Sequence, residues 1–226
     1  TGPSVSPPGV SADGVDRARL LAAHNDSLAN RSYALSVRTV RGSAARSVEL
    51  RREASGTPAT LRSETPARTR AEYFDERFYQ RIDRGGNVSY ETGIYTRPPA
   101  FTGASVVGSE MARASYEPRR TARLNGTRVV VLGADREDLR AGAFGDGTVE
   151  RFASRALVDA AGTIRRFELV ASGRAGGEPF RIEVVVTVRG IDETRVDPPD
   201  WLAAAENATA GERARYARGA AGSASG

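Results

Sequence analysis

The alternation of hydrophobic and polar residues changes its period once along the chain, close to residue 30. In residues 14–29, Val15, Leu20, Ala23 and Leu28 recur near helical spacing, and Asp13 or Asp16 can cap the first turn. From residue 32 the period becomes two, with Tyr33, Leu35 and Val37 on one face and Ser32, Ser36 and Arg38 on the other. The pattern predicts one N-terminal helix that leads into a series of strands.

Strands are predicted over most of the remaining chain. The clearest is residues 179–191, "PFRIEVVVTVRGI", in which Phe180, Ile182, Val184, Val186 and Val188 point one way. Short helices are predicted near 106–114, from Asp135 for two turns, and after Pro199, where Trp201 packs against the sheet. The other predicted strands are 48–51, 59–64, 70–75, 77–83, 87–92, 128–132, 150–159 and 163–171.

One-sided alternation of this kind is typical of an antiparallel sheet that packs on one face only. Helices against that face give an α+β protein, with the N-terminal helix packed on a large antiparallel sheet and short helices inserted. The two ends of the chain differ in composition from the predicted helix and strands. Residues 1–13 are rich in Pro, Ser and Gly and are interpreted as a flexible linker, 14–206 as a single domain, and 207–226 as a flexible tail.

All basic residues are arginine, and the formal net charge is +5. The arginines alternate with apolar residues, as in "VELRREA" and "IRRFELV", which is typical of a solvated sheet face. Aromatic platforms among the basic residues, which nucleic-acid binding usually requires, are not evident. We therefore expect no nucleic-acid partner.

Few residues offer catalytic or metal-binding chemistry. The chain has no cysteine, which excludes disulfides, thiolate metal sites and cysteine nucleophiles. His24, the single histidine, lies on the predicted helix without a nucleophile motif, so a surface or helix-packing role is favoured. "DREDLRAGAFGDG" is better explained by a helix cap and a loop than by a calcium loop. We expect no metal, no cofactor and no enzyme activity, although paired carboxylates leave an envelope hydrolase as an alternative.

Every asparagine of the chain lies in an N-x-[ST] glycosylation acceptor, and this pattern indicates a protein exposed outside the cytoplasm. Asn25 falls inside the predicted helix and is the weakest candidate. No apolar run is long enough to span a bilayer, and the start at Thr1 is interpreted as a mature or trimmed form. The five candidates are Asn30, Asn87, Asn125, Asn207 and Asn25.

Several stretches resemble an uncharacterised family of haloarchaeal surface lipoproteins. These are "PPGVSADGV", "LLAAHNDSLANRSYALSV", "LVDAAGTIRRFELVA" and "VVVTVRGIDETRVDPPDWLAAA", and the resemblance covers most of residues 7–205. It implies a location in the cell envelope, where a lipid on an upstream cysteine anchors the domain to the membrane surface through a proline-rich linker.

More distantly, a helix followed by a long antiparallel meander resembles the LolA and LppX group of lipoprotein carriers. This resemblance implies a curved half-barrel whose concave apolar face, lidded by helices, accepts acyl chains, with residues 93–118 forming part of the lid. The residues expected to line the hollow are Tyr33, Leu35, Val37, Val48, Leu50, Phe180, Ile182, Val184 and Val186.

The residues leave two non-catalytic functions open. One is a monomeric extracytoplasmic envelope lipoprotein that binds a lipid or other apolar ligand on the concave face. The alternative is a structural or protein-interaction module, in which the same residues pack against helix 14–29 with no cavity. Apolar alternation alone does not distinguish a filled core from a ligand site.

Overall fold

The structure, a computed structural model, describes residues 6–93 and 101–210. Parts of the predicted linker (1–5), lid (94–100) and tail (211–226) therefore lie outside the described residues. The predicted α+β fold class is confirmed. A single open sheet of eleven antiparallel strands carries two helices against one face, and a small two-stranded hairpin precedes them.

The first half of the chain forms the hairpin, the long helix and six consecutive strands. The hairpin pairs β1 (Val10–Ser11) with β2 (Gly14–Val15), so this end of the predicted linker is paired and Val10 is buried. The helix α1 is Arg17–Leu28. The strands are β3 (Tyr33–Arg41), β4 (Ala44–Arg52), β5 (Ala59–Thr65), β6 (Arg68–Phe74), β7 (Phe78–Arg84) and β8 (Asn87–Gly93).

The second half adds a short helix and five more strands. The helix α2 is Ala104–Met111, which overlaps the short helix predicted near 106–114. The strands are β9 (Glu117–Leu124), β10 (Thr127–Asp135), β11 (Thr148–Asp159), β12 (Ile164–Ala175) and β13 (Glu178–Arg189). Residues 202–210 are helical, as predicted after Pro199.

Two meanders meet at the centre of the sheet. The strand order is β8-β7-β6-β5-β4-β3-β13-β12-β11-β10-β9, so β3 and β13 are neighbours although they lie far apart in sequence. The sheet is curved and open, and α1 and α2 pack on its concave face. Because β3 and β13 join the two meanders, the residues under the helices come from both halves of the chain.

Two predictions about local structure are wrong. Strand β9 is missed, because Pro118, Arg119 and Arg120 interrupt its alternation where its pairing with β10 shifts register. The helix expected from Asp135 is a single 3-10 turn, Arg136–Asp138, closed by a reciprocal capping box between Asp135 and Asp138. It ends there because residues 141–146 form turns instead.

Asp16 caps the N-terminus of α1, because its side chain accepts a hydrogen bond of 3.1 Å from the Arg19 backbone N–H. Leu20, His24 and Leu28 follow at four-residue intervals, and all three are buried against the sheet. The four-residue spacing therefore packs one side of α1 against the concave face.

The C-terminal segment covers the opposite, convex face of the sheet. There Tyr73 of β6 and Tyr79 of β7 form a second apolar cluster with Val196 and Ala205, and Trp201 packs against it. Strands β6 and β7 are consequently buried on both faces, which a one-sided alternation does not predict.

Candidate functional site: the concave face of the sheet

All nine predicted lining residues lie on one face of three strands that are neighbours in the sheet. The register pairs Leu35 with Leu50 and, one step along the same face, Val37 with both Val48 and Val186. Seven of the nine are buried, whereas Phe180 and Ile182, towards the start of β13, are partly exposed. These nine residues are called the apolar floor below. That they line a ligand hollow remains a prediction.

The loop before α2 lies directly on the apolar floor. Gly103 has a φ of +83°, and a Cβ there would lie 3.1 Å from Val186 Cγ1 and 3.3 Å from Leu35 Cδ1. Glycine therefore provides both the left-handed backbone and the close approach. Farther along α2, Val107 and Met111 are buried in the same cluster. At this position the helix and the floor are in close contact.

His24 fastens the loop before α2 to the sheet. Its Nδ1 accepts a hydrogen bond of 3.1 Å from the Ile164 backbone N–H, and its Nε2 lies 3.0 Å from the Thr102 carbonyl oxygen. Because the Ile164 N–H must donate, the proton sits on Nε2, which donates to Thr102. The side chain is 1% exposed, and burial lowers its pKa from the ordinary value. His24 is therefore a neutral packing residue of the helix, one of the two roles favoured from the sequence.

The opposite end of α2 is held by ion pairs. The buried carboxylate of Glu110 accepts a hydrogen bond of 2.7 Å from Arg113 Nε, and it also pairs with Arg41 of β3. The Arg113 guanidinium lies 4.7 Å from the centroid of the Phe144 ring, which stacks on Phe180 with 5.6 Å between centroids. Polar contacts thus fix both ends of α2, and apolar contacts lie between them.

A buried polar group interrupts the concave face on β6 and β7. Glu72 and Gln80 are 6% and 4% exposed, and Gln80 Nε2 donates a hydrogen bond of 3.0 Å to Glu72 Oε1. Arg70 pairs with the same carboxylate, while its Nε is buried without a partner. The register places Glu72 and Gln80 in one row with Leu35, Leu50 and Leu61.

Sequence reasoning missed this polar group. The interpretation followed apolar residues, and on β6 and β7 the inward positions carry polar ones. A signal was available, because "RTRAEYF" and "FYQRIDR" have apolar residues on both faces at their adjoining ends. That pattern indicates strands covered on both sides.

Two open grooves of the described part of the chain lie away from the apolar floor. One, of about 820 Å³, is lined mainly by polar residues at the end of α1 and the turn after β4, among them Asn25, Asn30 and Arg52. Another, of about 460 Å³, lies at the β9–β10 edge beside Pro118 and Val130. The carboxylates that line the first groove, those of Asp26, Asp75 and Glu76, are all exposed.

Within residues 6–93 and 101–210, no three or more His, Asp or Glu side chains converge to hold a metal ion. In the same part of the chain, no helix combines the length and the apolar character that crossing a bilayer requires.

Comparisons with known proteins find similarity in structure but not in sequence. No protein-family model matches the chain, and no curated protein matches its sequence. LprF from Mycobacterium bovis aligns over 86% of this chain and 99% of its own, with 11% identity and a TM-score of 0.40. The Mycobacterium tuberculosis lipoprotein LppX aligns over 80% and 98%, with 11% identity and a TM-score of 0.35.

A third similar structure is a putative outer membrane lipoprotein-sorting protein domain from Vibrio parahaemolyticus. It aligns over 83% of this chain and 94% of its own, with 9% identity and a TM-score of 0.23. Identities and TM-scores of this size transfer neither a function nor site residues to this chain.

Proposed function

We propose that the protein is a non-catalytic, extracytoplasmic envelope protein that holds a lipid or other apolar ligand between α2 and the concave face of the sheet. The observation that carries this proposal is the way α2 is held. Its two ends are fixed by polar contacts, at His24 with Thr102 and at Glu110 with Arg41 and Arg113, and its middle rests on an apolar floor. Apolar contacts are not directional, so an acyl chain can replace them.

The floor is large enough to matter energetically. Each methylene group that leaves water for an apolar surface contributes about 0.8 kcal/mol. An acyl chain that places half of its methylene groups on the floor can therefore offset the free-energy cost of moving α2 away from a few side chains. Phe180 and Ile182 of the floor, and Leu61 beside it, are partly exposed and give the ligand a place to enter.

Saturable binding of a small apolar fluorophore, 1-N-phenylnaphthylamine, is the direct test of the proposal. Leu61→Trp fills the border of the floor and is expected to weaken binding by about tenfold, the loss of roughly two buried methylene groups. Val170→Trp, at a partly exposed position on the convex face of β12, is the matched control and should bind as the unchanged protein does. Equal binding by both variants, or the absence of saturable binding, contradicts the proposal.

The alternative is a protein-interaction module with a filled core and no ligand. The close packing of Gly103 against Leu35 and Val186 favours it, because no ligand atom fits between them at that point. Native mass spectrometry after gentle purification separates the two functions. The carrier is expected to retain a bound lipid mass, and the filled module only its own mass.

A location outside the cytoplasm is supported by the positions of the asparagines. All five lie at exposed positions, and Asn125 with Gly126 forms the turn between β9 and β10. A lipid anchor on an upstream cysteine is implied by the family resemblance alone, and it remains a prediction together with the monomeric state. A glycan acceptor must offer both its amide and the hydroxyl of its third residue.

Asn87 and Asn125 are expected to be occupied when the folded protein is glycosylated. Ser89 and Thr127 are accessible there, whereas Ser27 donates its hydroxyl hydrogen bond to the His24 carbonyl and Thr209 donates to that of Ala205. Asn25 and Asn207 should therefore remain unmodified. Site mapping by mass spectrometry after expression in a glycosylating host checks this, with Asn87→Gln and Asn125→Gln as controls. Glycans on Asn25 or Asn207 with bare Asn87 and Asn125 would show the reverse preference.

A further inference from the structure

A row of three arginines crosses the concave face where its apolar part ends. Arg46 lies two same-face positions beyond Leu50 on β4, which is about 14 Å along the strand. Arg68 of β6 and Arg84 of β7 flank the paired residues Thr69 and Asp83, so they face each other across neighbouring strands. Alternation along the strands places all three on the same face as the apolar floor. We call them the arginine row.

The arginine row carries uncompensated positive charge. All three side chains are exposed, and none of them has an ion-pair partner among the described residues. Like charges that face each other across two strands are destabilising. An anion between them would remove this repulsion and accept charge-assisted hydrogen bonds from the guanidinium groups.

The acidic residues of this face do not neutralise the row. Glu72 is already bonded to Arg70 and Gln80. Glu91 pairs with Gln80 in the register and therefore lies two same-face positions, about 14 Å, from the row. One step nearer to the floor than the row, the buried Nε of Arg70 has no hydrogen-bond partner. Hydrogen-bond donors thus outnumber acceptors on the surface that borders the apolar floor.

We propose that the concave face binds a monomeric anionic phospholipid, with its acyl chains on the apolar floor and its phosphate against Arg46, Arg68 and Arg84. Arginine suits this role, because its planar guanidinium group binds phosphate oxygens in a bidentate manner. Val48, a residue of the apolar floor, lies one same-face position from Arg46, about 7 Å along β4, so the acyl chains of one molecule reach the floor while its phosphate contacts the row. This inference rests on the proposed function and names the class of ligand.

The test compares two lipids with the same short acyl chains at concentrations where both are monomeric. Both lipids carry the same phosphate, but the choline group of the second adds a positive charge that the arginine row repels. Dioctanoyl phosphatidylglycerol is therefore expected to bind about tenfold more tightly than dioctanoyl phosphatidylcholine, a difference comparable to one charge-assisted hydrogen bond. Isothermal titration calorimetry measures both dissociation constants. Glycerol phosphate, the headgroup chemistry without acyl chains, should show no measurable binding in the same range.

Two variants with the same net charge separate the row from a general electrostatic attraction. In Arg46→Gln/Arg68→Gln/Arg84→Gln both lipids lose the phosphate contact, and the preference for phosphatidylglycerol should disappear, because the row no longer repels the choline cation of phosphatidylcholine. The matched control is Arg38→Gln/Arg51→Gln/Arg189→Gln, three exposed arginines of the convex face that are also free of ion pairs, and it should keep the preference. Circular dichroism confirms that both variants are folded.

The outcomes distinguish this inference from the proposed function. If both phospholipids bind equally to the unchanged protein, the inference is wrong and the carrier function stands. A preference lost equally in both triple variants, or tight binding of glycerol phosphate, also overturns it. If neither phospholipid binds, the proposed function itself fails, and the inference fails with it.

Discussion

Leu35→Ala is expected to lower the free energy of unfolding by about 3 kcal/mol, within the range seen for buried leucines whose surroundings relax little. Leu35 is 2% exposed, pairs with Leu50, and its Cδ1 lies close to the Gly103 backbone. The loop at Gly103 is held by His24, so it cannot move in to fill the space that the lost side chain leaves. Urea-induced unfolding followed by circular dichroism measures the difference.

Leu61→Ala is the matched control for this measurement, because Leu61 occupies the same row two strands away. Its side chain is partly exposed, so the same substitution should lower the free energy of unfolding by about 1 kcal/mol. A contrast of this size means that the floor is filled beneath α2 and loosely covered at its border. Equal losses of about 3 kcal/mol at both positions would indicate a uniformly filled core and favour the protein-interaction module.

The contrast between Leu35 and Leu61 also reconciles the two functions considered from the sequence. A floor that is tightly packed beneath Gly103 can still admit a ligand towards α2 from its border at Leu61, which is partly exposed. One part of the concave face, beneath Gly103, is then filled, and another part, at Leu61, is open to a ligand. Periodicity assigns Leu35, Leu50 and Leu61 to that face equally, and it carries no information about what covers each of them.

The sequence predicted strands well wherever one face is apolar and the other polar. Strands β3, β4 and β13 satisfy this condition, and their register follows from it, because a slip by one residue would expose Val37 and Val186. Strand β9 does not satisfy it. As an edge strand, β9 pairs with a neighbour on one side only. Its exposed arginines disfavour pairing with another chain, but they do not produce the apolar–polar alternation from which a strand is predicted.

The candidate site was predictable in its apolar part only. The nine floor residues follow from alternation, whereas Glu72 and Gln80 follow from which strands become neighbours and what covers them. The arginine row is a similar case. Arg46, Arg68 and Arg84 belong to three separate strands, and nothing in their sequence spacing shows that folding brings them to one border.

His24→Leu is expected to lower the free energy of unfolding at pH 7.5 by about 3 kcal/mol, because it leaves two buried backbone groups without partners. The Ile164 N–H and the Thr102 carbonyl lose their hydrogen bonds to the imidazole, and the site has no other donor or acceptor within the described contacts. His24→Gln is the companion variant. Its amide can replace one of the two hydrogen bonds, so a loss of about 1.5 kcal/mol is expected.

The pH dependence of stability identifies His24 as the cause. Burial lowers the pKa of His24 in the folded protein, so between that lowered pKa and the ordinary value of 6.5 the unfolded chain binds more protons than the folded one. The stability that neutral His24 provides is therefore complete above pH 6.5 and is lost as the pH falls below it. In both His24 variants this decline should be absent.

No second imidazole titrates between pH 7 and pH 5, because His24 is the single histidine of the chain. The carboxylates of Glu168 and Asp192 have lowered pKa values, the first despite partial burial through its pairs with Arg155 and Arg166, the second through its bond to Arg31. Both titrate below the range in question, since their ordinary values are already 4.5 and 3.8. A loss of stability between pH 7 and pH 5 that persists in His24→Gln would show that another group is responsible. A loss that disappears would show that one imidazole holds the loop before α2 in place.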